Sequence, residues 1–389
     1  MSHIFMVSAG AHGHVNPGLP VIAELVERGH RVSYAIPRSF ADVVASTGAT
    51  PLVHTSSLPD ETRGEQWPSD PITGMSIFAE DAAEVLPQLE AALAADRPDL
   101  VLYDITGYAG RALAHRWNVP LVQLSPSMVA WEGFEEDMGE ALAFRRDPRF
   151  VEYRERFAAW LDGLGIDLDP DTFSGRPPRC VVLIPRALQP HADDVDEKVY
   201  TFVGPSLDRR PHQGDWPESE KPLVLVSLGS AYNDRAEFFR ACVAAFGPLP
   251  WQVVLAIGPH TDPAAIAELP PNVELHRWVP QLAVLRRASA FVTHAGMGGC
   301  SEGLHEGVPM IAVPQAVDQF GNAAMLQELG VGVHLPAEEA TPEALREALL
   351  TLTGSPDVAE RLAAIRDELR AAGGAAAAAD IVEAQLPTS

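Results

Sequence analysis

Basic residues are scarce in this sequence. Lys and Arg number 28 against 53 Asp and Glu, a formal charge of −25 at pH 7. A chain this acidic is repelled by nucleic-acid phosphates and anionic lipid, so neither is an expected partner. A negatively charged ligand must be held by local donors against the overall field. Cysteine is scarcer still. Cys180, Cys242 and Cys300 are odd in number, far apart, and lack C-x-x-C spacing. That excludes a disulfide framework and a cysteine zinc site, and fits a reducing compartment. No apolar run reaches the ~20 residues that span a bilayer. The opening MSHIFMVSAGAHGHVNPG lacks both the basic start and the apolar core of a secretory signal. These absences together predict a cytoplasmic protein.

What is present is 389 residues, 47% of them apolar. That is too many for one hydrophobic core and enough for two domains. Short apolar runs alternate with helical patterns, as in βαβ units. Ile4–Ala9, Arg31–Ile36, Leu100–Tyr103 and Leu121–Leu124 read as buried strands of a parallel sheet. Pro17–Arg28 reads as a helix with Asn16 as its N-cap and Pro17 at its first position. The polar segment DRRPHQGDWPESEKP then interrupts the pattern. The alternation restarts with strands at Leu223–Ser227, Gln252–Ile257, Val273–His276, Phe291–Thr293 and Met310–Val313. The predicted architecture is α/β, with two facing doubly wound Rossmann-like domains and a ligand cleft between them. Residues 1–206 form the first domain, 207–221 the linker and 222–389 the second, with the last helix packing back on the first.

The densest chemistry lies in the second half. Strand Phe291–Thr293 runs through His294 into a loop with Gly296, Gly298 and Gly299 ahead of a helix. Such a loop exposes N–H groups and a positive dipole end that cradle phosphate. It can equally be a tight turn that touches nothing. No Gly-Lys-Ser/Thr follows, so it is not a Walker A loop, and the full G-x-G-x-x-G spacing is missing. Glu302, one helical turn on, suits ribose hydroxyls or merely an exposed helix face. Trp278 can stack on a base or fill a core.

In the first half, His12-Gly13-His14 follows the first strand. The pair can be a metal site lacking a third ligand, a structural feature, or a general base. A helix N-terminus near Asn16 would disfavour imidazolium and keep such a base free. Asp104 ends an apolar strand, where a carboxylate is otherwise costly, and is the candidate to orient the imidazole. The Asp-x-Asp sequences at Asp194-Val-Asp196, Asp167-Leu-Asp169 and Asp169-Pro-Asp171 sit in polar, turn-rich surroundings and read as solvated surface. The polar Thr55–Gly74 stretch contains Trp67, and Ser125–Glu140 carries Met128, Trp131 and Phe134. These aromatics can wall a ligand pocket or pack a helix hairpin.

The segments SAGAHGHVNPGLPVI, LVLYDITGY, LIPRALQPHADDVDEKVYTFVG, LVSLGSA and PMIAVPQAVDQFGNA resemble the inverting, metal-independent GT-B glycosyltransferases, and among them the actinomycete macrolide glycosyltransferases. The offsets from His294 to Glu302 (eight residues) and to Asp318 and Gln319 (twenty-four and twenty-five) match that family's nucleotide-sugar signature. The resemblance covers nearly the whole chain and implies a UDP-dependent hexosyltransferase. Glucose would move from UDP-glucose to a hydroxyl of a macrolide or similar lipophilic product, as antibiotic inactivation or self-resistance, with no metal or other cofactor required. It implies His14 as the base and Asp104 as its partner. Trp278 would stack on uracil, with the backbone around Val279 and Gln281 reading its edge, and Glu302 would hold the ribose. Ser230, His294, Gly296, Met297, Gly298 and Gly299 would surround the pyrophosphate, and Asp318 and Gln319 the sugar. Met297-Gly298-Gly299 stands where plant members carry Trp-Asn-Ser, so sugar contacts from that loop are in doubt. Trp67, Phe78, Ile105, Ser127, Met128, Trp131 and Phe134 would face the acceptor. The protein would work as a monomer or homodimer. Two alternatives stand: a sugar-nucleotide epimerase of the same fold, and a glycosyltransferase using another UDP- or TDP-sugar in antibiotic biosynthesis. A silent nucleotide-sugar binder is disfavoured by the retained His14 and Asp104.

Overall fold

The two stretches of βα alternation are two parallel sheets in the computed structural model, which describes all residues except 61, 62, 69, 140, 210–213, 230–232, 267, 317, 388 and 389. The first sheet contains β1 (His3–Val7), β2 (Arg31–Pro37), β3 (Thr50–His54), β4 (Leu100–Asp104), β5 (Leu121–Ser125), β6 (Cys180–Val182) and β7 (Tyr200–Phe202). Their order is β3-β2-β1-β4-β5-β6-β7. The second contains β8 (Leu223–Ser227), β9 (Gln252–Ala256), β10 (Val273–His276), β11 (Ala288–Thr293), β12 (Met310–Ala312) and β13 (Gly332–His334), in the order β10-β9-β8-β11-β12-β13. Neighbouring strands run parallel, including β1 beside β4 and β8 beside β11. Every residue of β1, β4 and β8 is buried, as it must be when helices cover both faces of a parallel sheet.

This order positions the site. In each sheet the strand order reverses between one central pair, β1/β4 in the first and β8/β11 in the second. Chains leaving the two strands diverge there and open a crevice at the carboxyl edge. His14 and Asp104 lie on the chain leaving β1 and at the end of β4, and Gly229 and His294 just beyond β8 and β11.

One helix differs from its prediction. His12–Val15 is a one-turn helix closed by Asn16, whose backbone N–H bonds the His12 carbonyl at 3.1 Å. The longer helix is Leu19–Glu27, entered through Gly18 with Pro20 in its first turn. Both Pro17 and Pro20 suit a helix start, where the missing N–H costs nothing, and the later proline sets it.

The chain divides into two compact units. Met1–Pro211 with Ala372–Ser389 is one, and His212–Ala371 is the other. In the first, the terminal helix Gly374–Glu383 adds Ala375, Ala378, Ala379 and Val382 to the core formed by Leu19, Ile22, Leu25 and the strands. Arg28 ties it down, donating to Asp380 at 2.6 Å and Glu383 at 2.7 Å. Among the described residues no helix is long and apolar enough to cross a membrane.

Candidate functional site

Asp104 is buried at the last position of β4, and its Oδ2 meets His14 Nδ1. Its Oδ1 accepts from Thr106 N at 3.0 Å and Thr106 Oγ1 at 2.9 Å. Both carboxylate oxygens are therefore fixed, and His14 presents Nε2 as its other ring nitrogen. Thr106 was not among the expected site residues, although an acid two residues before a threonine at a strand end is a turn signal. His12 does not share this arrangement. Its ring is exposed and meets Phe40 edge-on at 5.0 Å. His14 lies in the one-turn helix, and the longer helix expected to begin near Asn16 starts at Leu19.

Beside this pair stands an aromatic row. Phe78, on the helix Pro71–Leu93, has its ring centroid 6.3 Å from that of His14. Trp67 stacks on Phe78 at 5.6 Å and 26°. The stretch leading to Trp67 is pinned by residues the sequence reading passed over. Asp81 accepts from Ser56 Oγ and Ser57 N, both at 2.7 Å, and Gln88 bonds both backbone groups of Thr55. The sequence signal was an acid on the apolar stripe of a helix. Ile105, Ser127 and Met128 are half-buried near the ends of β4 and β5. Trp131 is only 2% exposed, stacked on His191 at 5.0 Å with Phe134 at its edge and Asp137 accepting from Nε1. It offers no open face. Half-buried Phe134 belongs to that packing cluster, and no ring contact among the described residues joins it to the His14 row.

In the second unit Trp278 is 66% exposed, against 9% for Trp251, so it is not a core tryptophan. The neighbouring Val279 is buried. Gln281 opens a short helix and donates through Nε2 to Glu302 Oε2 at 2.8 Å. Glu302 is buried on the helix Met297–Glu306. That helix starts earlier than expected: Gly298 and Gly299 belong to its first turn, and Gly296 is its cap. Glycine cannot cap with a side chain, and the first backbone bond into the helix is Cys300 N to Gly296 O at 3.0 Å. The N–H groups of Met297, Gly298 and Gly299 are thus left to an acceptor outside the helix. A Cβ on Gly298 would meet nothing within 4 Å, so this first turn has room at its surface. Met297 is itself buried.

His294 packs against two glycines. A Cβ at Gly229 would come 2.7 Å from its ring, and one at Gly296 2.5 Å. Burial lowers its pKa to about 4, with the Ser227 backbone pulling the other way, so the ring is neutral at pH 7. Next to it Ala295 has φ +61°, the left-handed region. That conformation costs a residue with a Cβ about 1–3 kcal/mol and persists only where neighbours enforce it. Here Ala295 N donates to Thr293 Oγ1 at 3.1 Å, and its carbonyl accepts from Asn322 Nδ2 at 3.0 Å. Asp318 precedes the helix Gln319–Glu328, its Oδ2 accepting from the same Asn322 Nδ2 at 3.0 Å. Gln319 spends its carbonyl oxygen on the backbone N–H groups of Gln315 and Ala316, at 2.8 and 3.0 Å. Its side-chain oxygen is thereby committed to the backbone. Ser230 lies outside the described residues.

Four of the five Asp-x-Asp residues have local work. Asp169 caps the helix Pro170–Gly175, Asp171 pairs with Arg154 at 2.9 Å, Asp194 faces His191, and Asp196 closes a turn on Lys198 N. Among the described residues no three His, Cys, Asp or Glu side chains gather as a ligand set.

Residues 240–384 match the family described as Erythromycin biosynthesis protein CIII-like, C-terminal domain. Over 99% of its length the chain is 55% identical to oleandomycin glycosyltransferase of Streptomyces antibioticus, covering 91% of that protein. The chain belongs to the macrolide glycosyltransferase family. It is 38% identical to the NDP-glycosyltransferase YjiC of Bacillus licheniformis, over 99% of this chain and 98% of that one. The crystal structure of the glycosyltransferase of kitacinnamycin superposes with a TM-score of 0.92 at 48% identity, covering 99% of both chains. The protein is therefore a GT-B glycosyltransferase, and its two parallel sheets are the two Rossmann-like halves of that fold.

Proposed function

We propose that this glycosyltransferase moves glucose from UDP-glucose to a hydroxyl of a macrolide or similar lipophilic natural product, with inversion and without a metal. The contact of His14 Nδ1 with a carboxylate fixed on both oxygens carries the reading. An acceptor hydroxyl becomes a competent nucleophile as its proton leaves for His14 Nε2. Asp104 stabilises the imidazolium that forms. The acceptor oxygen attacks the anomeric carbon opposite the diphosphate. The old C–O bond breaks with its electron pair on the leaving UDP, and an α-linked donor gives a β-glycoside. The growing phosphate charge is met by the uncapped N–H groups of Met297, Gly298 and Gly299 and by neutral His294. Such preorganised dipoles supply several kcal/mol without a cation. In this reading Trp278 takes the uracil, Glu302 the ribose, and Asp318 with the Gln319 amide the sugar. Phe78 and Trp67 form the apolar wall for the acceptor.

One observation favours a second donor class. With Met297 buried and the Gln319 oxygen committed to backbone, few groups remain for sugar hydroxyls. A deoxysugar on TDP would lose little. Incubating the protein with UDP-glucose, UDP-galactose and a TDP-deoxysugar against a macrolide panel, with mass detection, decides between them. The expected result is a hexose adduct from UDP-glucose. Transfer of the deoxysugar alone would overturn the donor assignment, and isomerised nucleotide sugar without adduct would make the protein an epimerase.

A further inference from the structure

We propose that Asn322 is a positioning residue of the donor site. Its single side-chain amide locks the strained Ala295 turn and the Asp318 carboxylate into one relative geometry. The proposal rests on the donor-site assignment given above and adds a residue that touches neither nucleotide nor sugar.

Asn322 is 1% exposed, one turn into the helix that Asp318 begins. Nδ2 donates one hydrogen to the Ala295 carbonyl and the other to Asp318 Oδ2, each at 3.0 Å. Ala295 holds φ +61° with its side chain fully buried, and this turn aims the chain from β11 into the helix Met297–Glu306. Released from the Ala295 carbonyl, the turn is free to relax, and the N–H groups assigned to the diphosphate move with it. Released from Asn322, the carboxylate assigned to the sugar loses the hydrogen bond that ties it to the Ala295 turn. Only a side chain with two hydrogens on one nitrogen serves both acceptors from this position; Asp, Ser and Ala do not. Asn322 Oδ1 is buried with no hydrogen-bond partner among the described residues. A buried amide that leaves its acceptor unused is placed there for its donors.

The reacting carbon lies between the diphosphate and the sugar hydroxyls, so register between the two sub-sites sets turnover. Misplacement on the order of 1 Å is enough to cost ~10²-fold. Asn322→Asp keeps the shape, removes both donors and sets a second carboxylate against Asp318. Asn322→Ala removes the donors without adding charge and covers the case in which the acid fails to fold. Uridine, UDP and UDP-glucose form the probe series, with uridine measured by competition. For whichever variant folds, the expected result is a ~30–100-fold loss of kcat with UDP-glucose and a UDP affinity reduced ~10-fold. Uridine binding and acceptor KM should stay within about two-fold of wild type. Turnover within three-fold of wild type in a folded variant would overturn the proposal. So would a proportionate loss of uridine, UDP and UDP-glucose binding together with a large fall in Tm, which marks a merely structural role. Wild-type protein that binds no nucleoside diphosphate would instead overturn the donor-site assignment, and this proposal with it.

Discussion

His14 is set apart from His12 by its carboxylate partner. Asp104 holds one histidine and Phe40 the edge of the other. His14→Ala should cut turnover ~10²–10⁴-fold, the range for a lost general base, while UDP affinity by calorimetry stays near wild type. His12→Ala should cost far less, and equal losses would mean the base is misassigned. His294 makes a different prediction. Its folded pKa of about 4 lies below the 6.5 of a free imidazole, so the unfolded chain takes up the proton first as pH falls. The stability it contributes is full above pH 6.5 and is lost as pH falls from 6.5 toward 4. The urea midpoint of His294→Asn should fall less between pH 7 and pH 5 than that of wild type. An equal fall in both proteins would contradict the burial of the ring.

The terminal helix Gly374–Glu383 is held in two ways, and magnitudes rank them. Its ion pairs with Arg28 involve carboxylates that are 71% and 32% exposed at Asp380 and Glu383, and pairs of this kind contribute about 0–1 kcal/mol. Val382 is fully buried in the core of the first sheet, where removing two methyl groups costs about 1–3 kcal/mol. Val382→Ala should therefore lower the urea midpoint more than Asp380→Ala; the reverse order would make the ion pairs the main attachment. The elements themselves were unevenly legible. The strand Leu223–Ser227 was readable because both its faces are buried and the apolar run has no competing period. The start of Leu19–Glu27 was not, because Pro17 and Pro20 send the same signal three residues apart. The glycines after β11 were visible, yet their place inside a helix ran against glycine's low helix propensity. Asp104 stood out as a carboxylate ending an apolar strand, and His14 as one of a histidine pair on the chain after another. Thr106, Asp81 and Asn322 did not, since each acts through contacts made by folding: a strand-end turn, a loop laid on a helix, and a bond from Asn322 to a residue 27 positions away.

At the scale of the whole molecule the acidity returns. A chain of net charge −25 must bind a diphosphate against its own field, and the donors assigned to it carry no formal charge. In the proposed mechanism the burden falls on fixed dipoles, whose worth depends on exclusion of water rather than on a cation. One measurement tests base-assisted, metal-free inversion most directly. Wild-type protein is incubated with UDP-glucose and a macrolide panel in EDTA, and the product is analysed by mass and by the anomeric proton coupling. The prediction is a hexose adduct with a β-linkage, formed in EDTA at a rate close to that without it. An α-linked product, or activity lost in EDTA and restored only by Mg²⁺ or Mn²⁺, would contradict it.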